Sequence, residues 1–212
     1  MAQHPEQGVL FDLDGTLIDS VYQHVRIWHD VLAERGFVVP HWKVHRGVGL
    51  PSQRLMLWLL GEEPEASDAI VAAHDDRFAE LAGGLRPTPG APELLAELER
   101  LEVPFCAVTS AGDRTREALF KALGRSMPYS KAASKLAPKP SPSPLLAAAE
   151  SLRLEPSKLI MVGDAIWDGE AARRAGIPFI GLRCGGTSDA LLRQAGALWV
   201  EDAPRDLMGR LG

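Results

Sequence analysis

Positive charge is in deficit. Lys and Arg number 23 against 28 Asp and Glu, a formal net charge of −5 over 212 residues, with a pI near 5.7. That balance excludes the basic footprint of a nucleic-acid binder. It leaves room for a small anionic substrate, because one lysine or a bound metal reverses the sign of a pocket. Cysteine is scarce: Cys106 and Cys184 stand in apolar or glycine-rich surroundings without metal-ligand spacing, and read as two buried thiols in a reducing compartment. Long apolar runs are missing too. The longest stretch, within "RLMLWLLG", is far too short to span a bilayer, and the polar opening "MAQHPEQG" has no signal-peptide pattern. Both features predict a cytoplasmic protein that binds no membrane. Neither an internal repeat nor a low-complexity tract interrupts the chain. Apolar residues at 46% and charged residues at 24% are ordinary for a packed globular core.

Near-continuous apolar runs, as in strands covered on both faces, occur at residues 8–12, 104–110, 158–164, 178–183 and 197–200. Helical patterns lie between and after them at 91–101, 113–124, 142–152, 168–176 and 188–196, several closed by glycine. This alternation predicts an α/β fold, a Rossmann-like, doubly wound and mostly parallel sheet, with ligands outside the carboxyl ends of the strands. Residues 20–86 break the pattern with helical segments and no strand, which predicts an inserted all-helical unit. The expected organisation is a discontinuous α/β core, 1–19 and 87–212, with a helical cap at 20–86. "SMPYSKAAS" (126–134) reads as a weak further strand, and "APKPSPSP" (137–144) as a rigid loop.

The first strand ends in "DLDGT". Alternation along a strand puts Asp12 and Asp14 on one side of the chain, and Gly15 permits a turn that brings backbone close to a ligand. Two carboxylates that close repel each other and require compensation. Asp14 read alone also suits a simple turn cap. An EF-hand calcium loop fits poorly, since its glycine is the sixth residue and follows a helix. Other elements gather at the same predicted strand ends: Thr109 and Ser110 after the second core strand, Lys139 ahead of a helix, and Asp164 with Asp168 in "GDAIWD". Singly, each has a plain reading as a helix cap or a solvated lysine; jointly, in this order and at these strand ends, coincidence is a poor account of them.

In these motifs, "DLDGT", "VTS" (108–110), "KP" (139–140) and "GDAIWD", the chain resembles the haloacid-dehalogenase superfamily. The likeness runs on through "AARRAGIPFIGLRCGG" and "LLRQAGALWVED", so it covers nearly the whole length. The helical insert after the first strand resembles the small cap of phosphoglycolate phosphatases and β-phosphoglucomutases. The resemblance implies a phosphatase of a small phosphorylated metabolite, working as a monomer or homodimer through an aspartyl-phosphate. Asp12 would be the nucleophile; a carboxylate of ordinary pKa, ~3.9, needs no base to activate it. Mg²⁺ would sit on Asp12, the Asp14 carbonyl and Asp164. Thr109, Ser110 and Lys139 would hold phosphoryl oxygens. Asp14 would serve as acid and base, its pKa expected to be raised by neighbouring carboxylates. Thr16 would orient Asp14 or the intermediate, and Asp168 would orient a water or Lys139. Asp14 also favours phosphate over halide chemistry, since a halide leaves without a proton.

In the insert, "HVRIW" (24–28) resembles the histidine-tryptophan pattern of β-phosphoglucomutase-like caps, which implies that His24 faces the site. "HRGVGLPSQR" (45–54) resembles the cap loop that touches substrate, and Arg46 or Arg54 is expected to clamp an anionic group. His74 stands near where mutase-like caps carry a phosphate-binding lysine. Trp42, Trp58 and Phe78 read as core of the insert. Two other functions stay open: a sugar phosphomutase of the β-phosphoglucomutase type, and a non-catalytic binding or regulatory protein.

Overall fold

The computed structural model describes residues 7–130 and 138–211. Five strands, β1 (Gly8–Phe11), β2 (Phe105–Ala107), β3 (Leu159–Gly163), β4 (Phe179–Leu182) and β5 (Ala197–Glu201), form one parallel sheet in the order β2-β1-β3-β4-β5. Nine α-helices occur among the described residues: α1 (Val21–Ala33), α2 (His41–Gly47), α3 (Ser52–Leu60), α4 (Ser67–Leu81), α5 (Ala91–Arg100), α6 (Asp113–Leu123), α7 (Ser143–Leu152), α8 (Ile166–Ala175) and α9 (Asp189–Gln194).

The apolar runs of β1 to β4 have their cause in two covering layers. Val9 and Phe11 point to one face, where they join Leu94, Leu95 and Leu98 of α5 and Leu119 and Leu123 of α6. Leu10 and Met161 point to the other, against Leu145 and Ala148 of α7, Ala171 and Ala172 of α8, and Leu192 of α9. A leucine or phenylalanine fully buried in this way contributes about 2 kcal/mol. β5 closes one edge and is only part-buried, so its alternation is the weakest.

Helices α1 to α4 all lie between β1 and α5, with no strand among them. α1 buries Val21, Val25, Trp28 and Leu32, and α4 buries Ile70, His74 and Phe78. These spacings of three to four residues put one stripe of each helix toward the other. Their core is continuous with the first face of the sheet. The chain's two crossings run side by side: Asp19 N–H donates to Arg86 O at 2.9 Å, Thr88 N–H to Leu17 O at 3.0 Å, and Ile18 forms an antiparallel bridge with Pro87.

Several expectations need correction. The segment 45–54, expected as a cap loop, is helical at both ends, 45–47 closing α2 and 52–54 opening α3; α2 has only seven residues, too few turns to show a period. Trp42 and Trp58 are exposed while Phe78 is buried, so only Phe78 belongs to the core of the insert. Cys184 is half-buried, its thiol donating to Gly15 O at 3.0 Å. The weak strand at 126–134 is a single parallel bridge, Tyr129 to Ala107 beside β2; its residues 131–134, like residue 137 of the proline-dense loop and the N-terminal residues 1–6, lie outside the described residues.

Candidate active site

Sheet order reverses about β1, with β2 on one side and β3 on the other. At such a point the connecting loops diverge and leave a crevice beyond the strand ends. Asp12 stands directly after β1, anchored by its N–H to Val162 O at 3.0 Å. Leu13 turns into the core, so Asp14 comes back to the crevice side. Gly15 then takes φ +78°, with the Asp164 carboxylate packed where a side chain would start. Only glycine meets both demands.

Three buried carboxylates, Asp12, Asp164 and Asp168, bring oxygens within 4.8 Å of one another. Lys139, itself buried, donates to Asp12 Oδ1 and to Asp168 Oδ1, both at 2.7 Å. Asp168 Oδ2 accepts the Ala165 N–H at 3.1 Å, so both of its oxygens are engaged. Thr16 donates to Asp164 Oδ1 at 2.8 Å, so its hydroxyl holds Asp164 and not Asp14, the first of the two partners expected for it. Oδ2 of Asp12 and of Asp164 have no partner among the described residues.

The electrostatics follow from this count of charges. Burial pushes the Asp12 carboxyl up, Lys139 opposes, and Asp168 and Asp14 add to the rise, which ends at about 7. Burial likewise raises Asp164 well above the ordinary range, with Asp168 and Asp12 contributing. Burial would lower the Lys139 ammonium, but Asp12 and Asp168 on either side raise it instead. One ammonium among three carboxylates leaves negative charge uncompensated around oxygens that lie within 4.8 Å of one another. That donor set, hard oxygen on a few carboxylates, suits Mg²⁺.

Asp14 faces the opposite way, toward the helical insert. Ser20 Oγ–H donates to Asp14 Oδ1 at 2.6 Å, and His24 Nε2 lies 2.9 Å from the same oxygen. His24 Nδ1 is 2.9 Å from His74 Nε2, and His74 Nδ1 is 2.9 Å from Asp75 Oδ1. Trp28 stacks on the His74 ring and Phe78 on that of His24. Burial raises the Asp14 carboxyl, but His24 and the Ser20 hydroxyl outweigh it and hold Asp14 below the ordinary range. The expected upward shift is therefore reversed: a histidine and a hydroxyl, not another carboxylate, are what Asp14 hydrogen-bonds. Burial lowers His74 to about 4, so its ring is neutral at pH 7.

Donor and acceptor counting then fixes the protons along this chain. The Asp75 carboxylate accepts, so neutral His74 carries its proton on Nδ1 and accepts at Nε2. His24 must donate from Nδ1. The remaining contact, His24 Nε2 to Asp14, is a hydrogen bond only with a proton on one side or the other. A leaving oxygen beside Asp14 has a proton within reach even though Asp14 alone favours the carboxylate.

Asp12, Asp14, His24, His74, Thr109 and Ser110 all line one cleft. Thr109 Oγ1 accepts the Ala111 N–H at 3.0 Å, which leaves its own O–H available to a ligand. Ser110 instead spends its hydroxyl on Gly49 O of the insert, at 3.2 Å. Two further hydrogen bonds clasp the same segment to the core: Trp167 Nε1–H donates to Arg46 O and His45 Nε2–H to Gly185 O, each at 3.0 Å.

Arg46 and Arg54 do not enter this cleft. The Arg46 guanidinium lies over the Trp42 ring, 5.6 Å from its centre, and Arg54 is solvent-exposed on α3. The anion clamp expected of them is not formed here. His74 is buried in the histidine pair, not presented to a second phosphate. Ser20, Asp75 and Gly185 were not singled out from the sequence. Ser20 and Asp75 carry no motif. Gly185 is required because the Asp164 carboxylate fills the space where a Cβ would stand; its only signal is the glycine pair in "RCGG".

Comparison with known proteins agrees with this geometry. The profile of a family described as "haloacid dehalogenase-like hydrolase" matches residues 6–176. The chain is 30% identical over 189 residues to N-acetylmuramic acid 6-phosphate phosphatase of Pseudomonas putida, covering 84% of this chain and 83% of that one. It is 30% identical over 210 residues to phosphoglycolate phosphatase of Rhodospirillum rubrum, covering 92% and 87%. A solved hydrolase from Pseudomonas syringae superimposes with a TM-score of 0.91 at 34% identity, over 97% of each chain.

Proposed function

The chain belongs to the haloacid dehalogenase-like hydrolases and is a phosphatase of that family, and from this we propose that Asp12 is its nucleophile and Asp14 its acid and base toward a small phosphorylated metabolite. An Asp12 oxygen attacks phosphorus, the bond to the leaving oxygen breaks, and that oxygen takes the proton of the Asp14–His24 hydrogen bond. Water then attacks the aspartyl-phosphate, its proton returns to Asp14, and inorganic phosphate leaves. Thr109 and Lys139 bind the phosphoryl oxygens, and Asp168 holds Lys139 in place. Mg²⁺ would be held by Asp12, Asp164 and the Asp14 carbonyl; when bound it supplies charge stabilisation to the phosphoryl group. The helices of residues 20–86 act as a cap over the core of 1–19 and 87–212, hinged at the paired crossings.

The observation that carries this reading is the buried cluster of Asp12, Asp164 and Asp168 around one lysine. A non-catalytic binding protein has no use for so costly an arrangement. Hydrolysis of p-nitrophenyl phosphate tests it: turnover is expected with Mg²⁺, and loss with EDTA or in Asp12→Asn. Unchanged turnover in that variant would remove the nucleophile assignment.

A further inference from the structure

The insert's side of the cleft presents a carboxylate where an anion-binding residue was expected. Asp75 lines the cleft, and its side chain is 29% exposed. Its Oδ1 is taken by His74. Its Oδ2 faces the core loop that follows Thr109: a Cβ added to Gly112 would stand 3.9 Å from it. Trp28, Val48, Leu50 and Leu55 supply apolar surface on that wall beside Ser52 and the histidine pair, and the insert contributes no lysine or arginine to it. Beyond Asp75 the space continues into a second cavity that shares Thr109 and Ser110. Arg116 is the cation there besides Lys139 among the described residues. It is committed to Asp113 at 2.6 Å and stacks on Tyr129.

We infer that Asp75 selects the leaving group: Oδ2 accepts a hydroxyl of an uncharged, hydroxyl-rich phosphomonoester, a sugar or polyol monophosphate, and repels leaving groups that carry a carboxylate or second phosphate. This deepens the phosphatase reading and rests on it. A substrate hydroxyl replaces the water that an exposed carboxylate oxygen otherwise binds, and a charge-assisted hydrogen bond is stronger than a neutral one. A carboxylate in the same place meets like charge in a partly desolvated cleft with no lysine or arginine on that wall. The same repulsion opposes the second phosphate that a mutase must hold.

The test is kcat/KM with Mg²⁺ on four compounds: p-nitrophenyl phosphate, glucose 6-phosphate, sorbitol 6-phosphate and 2-phosphoglycolate. At least one of the two neutral substrates is expected to exceed 2-phosphoglycolate by tenfold or more. In Asp75→Asn, which keeps an acceptor for His74 but loses the charge, that ratio should fall at least fivefold. Asp75→Ser, measured alongside, should lower it in the same direction. A purely positioning role through His74 would lower every substrate together and leave the ratio fixed; that result overturns the inference, as does a preference of the unaltered protein for 2-phosphoglycolate. Both leave the phosphatase reading standing if p-nitrophenyl phosphate is hydrolysed. Failure to hydrolyse p-nitrophenyl phosphate overturns the reading and the inference with it.

Discussion

Removing the nucleophile should make the metal-free protein more stable. Asp12 is 3% exposed, and its pKa is raised from 3.8 to about 7 in the folded chain. Below pH 4 both folded and unfolded states hold the proton, so the group is neutral to stability. Between pH 4 and 7 the unfolded chain ionises first, and folding stability falls as pH rises. Above 7 the loss is complete. A shift of about 3 units corresponds to roughly 4 kcal/mol, which for a chain of this size is on the order of 8–16 °C in Tm. Asn at position 12 mimics the protonated acid and still accepts from Lys139. In EDTA, the stability of Asp12→Asn relative to the unaltered protein should therefore rise between pH 4 and 7 and then level off. Taking this difference cancels His74, whose depressed pKa works in the opposite sense over much of the same range. Saturating Mg²⁺ should shrink the gap at pH 7.5, because a cation binds more tightly, and so stabilises more, where Asp12 is present. The assay is urea or thermal unfolding at several pH values, with and without metal. A difference flat in pH, or a variant less stable at pH 8 in EDTA, would refute the claim that burial of uncompensated charge sets the energetics of this site.

Two other substitutions probe the two sides of the cleft. His24→Ala takes away the hydrogen-bond partner of Asp14, so kcat on an alkyl phosphate should fall roughly ten- to hundredfold. p-Nitrophenyl phosphate, whose leaving group departs without a proton, should lose much less; equal losses would show that His24 supports folding and not proton delivery. Gly185→Ala places a Cβ onto the Asp164 carboxylate and should raise the Mg²⁺ concentration for half-maximal activity about tenfold or more. An unchanged Mg²⁺ dependence would argue that Asp164 does not bind the metal.

Much of the fold was legible because its causes are local. The apolar runs at residues 8–12 and 158–164 needed only their own composition to be read as strands buried on both faces, and β1 and β3 occupy them. Asp12, Thr109, Lys139 and Asp164 could be placed at one crevice because in a parallel sheet strand ends converge whatever the register. The seven-residue α2 was not legible, since it is too short for a periodic pattern to rise above its flanking prolines.

Charge environment was the part that tertiary structure alone decided. Read along the chain, Asp14 has another carboxylate two residues away and should be harder to ionise. In space its nearest partners are Ser20 and His24, delivered by the first turn of α1, and it ionises more readily. Arg46 and Arg54 were equally plausible anion clamps in sequence, but the rotation of α2 and α3 on the core turns both away from the cleft, while α4 turns Asp75 into it. Sequence determines which charges a chain owns and roughly which strand end or helix carries them. Coulomb interactions fall with distance through the folded protein and burial, so which charges meet, and what each does to the other's proton, waits on the packing of helices that a sequence pattern orients only to within a face.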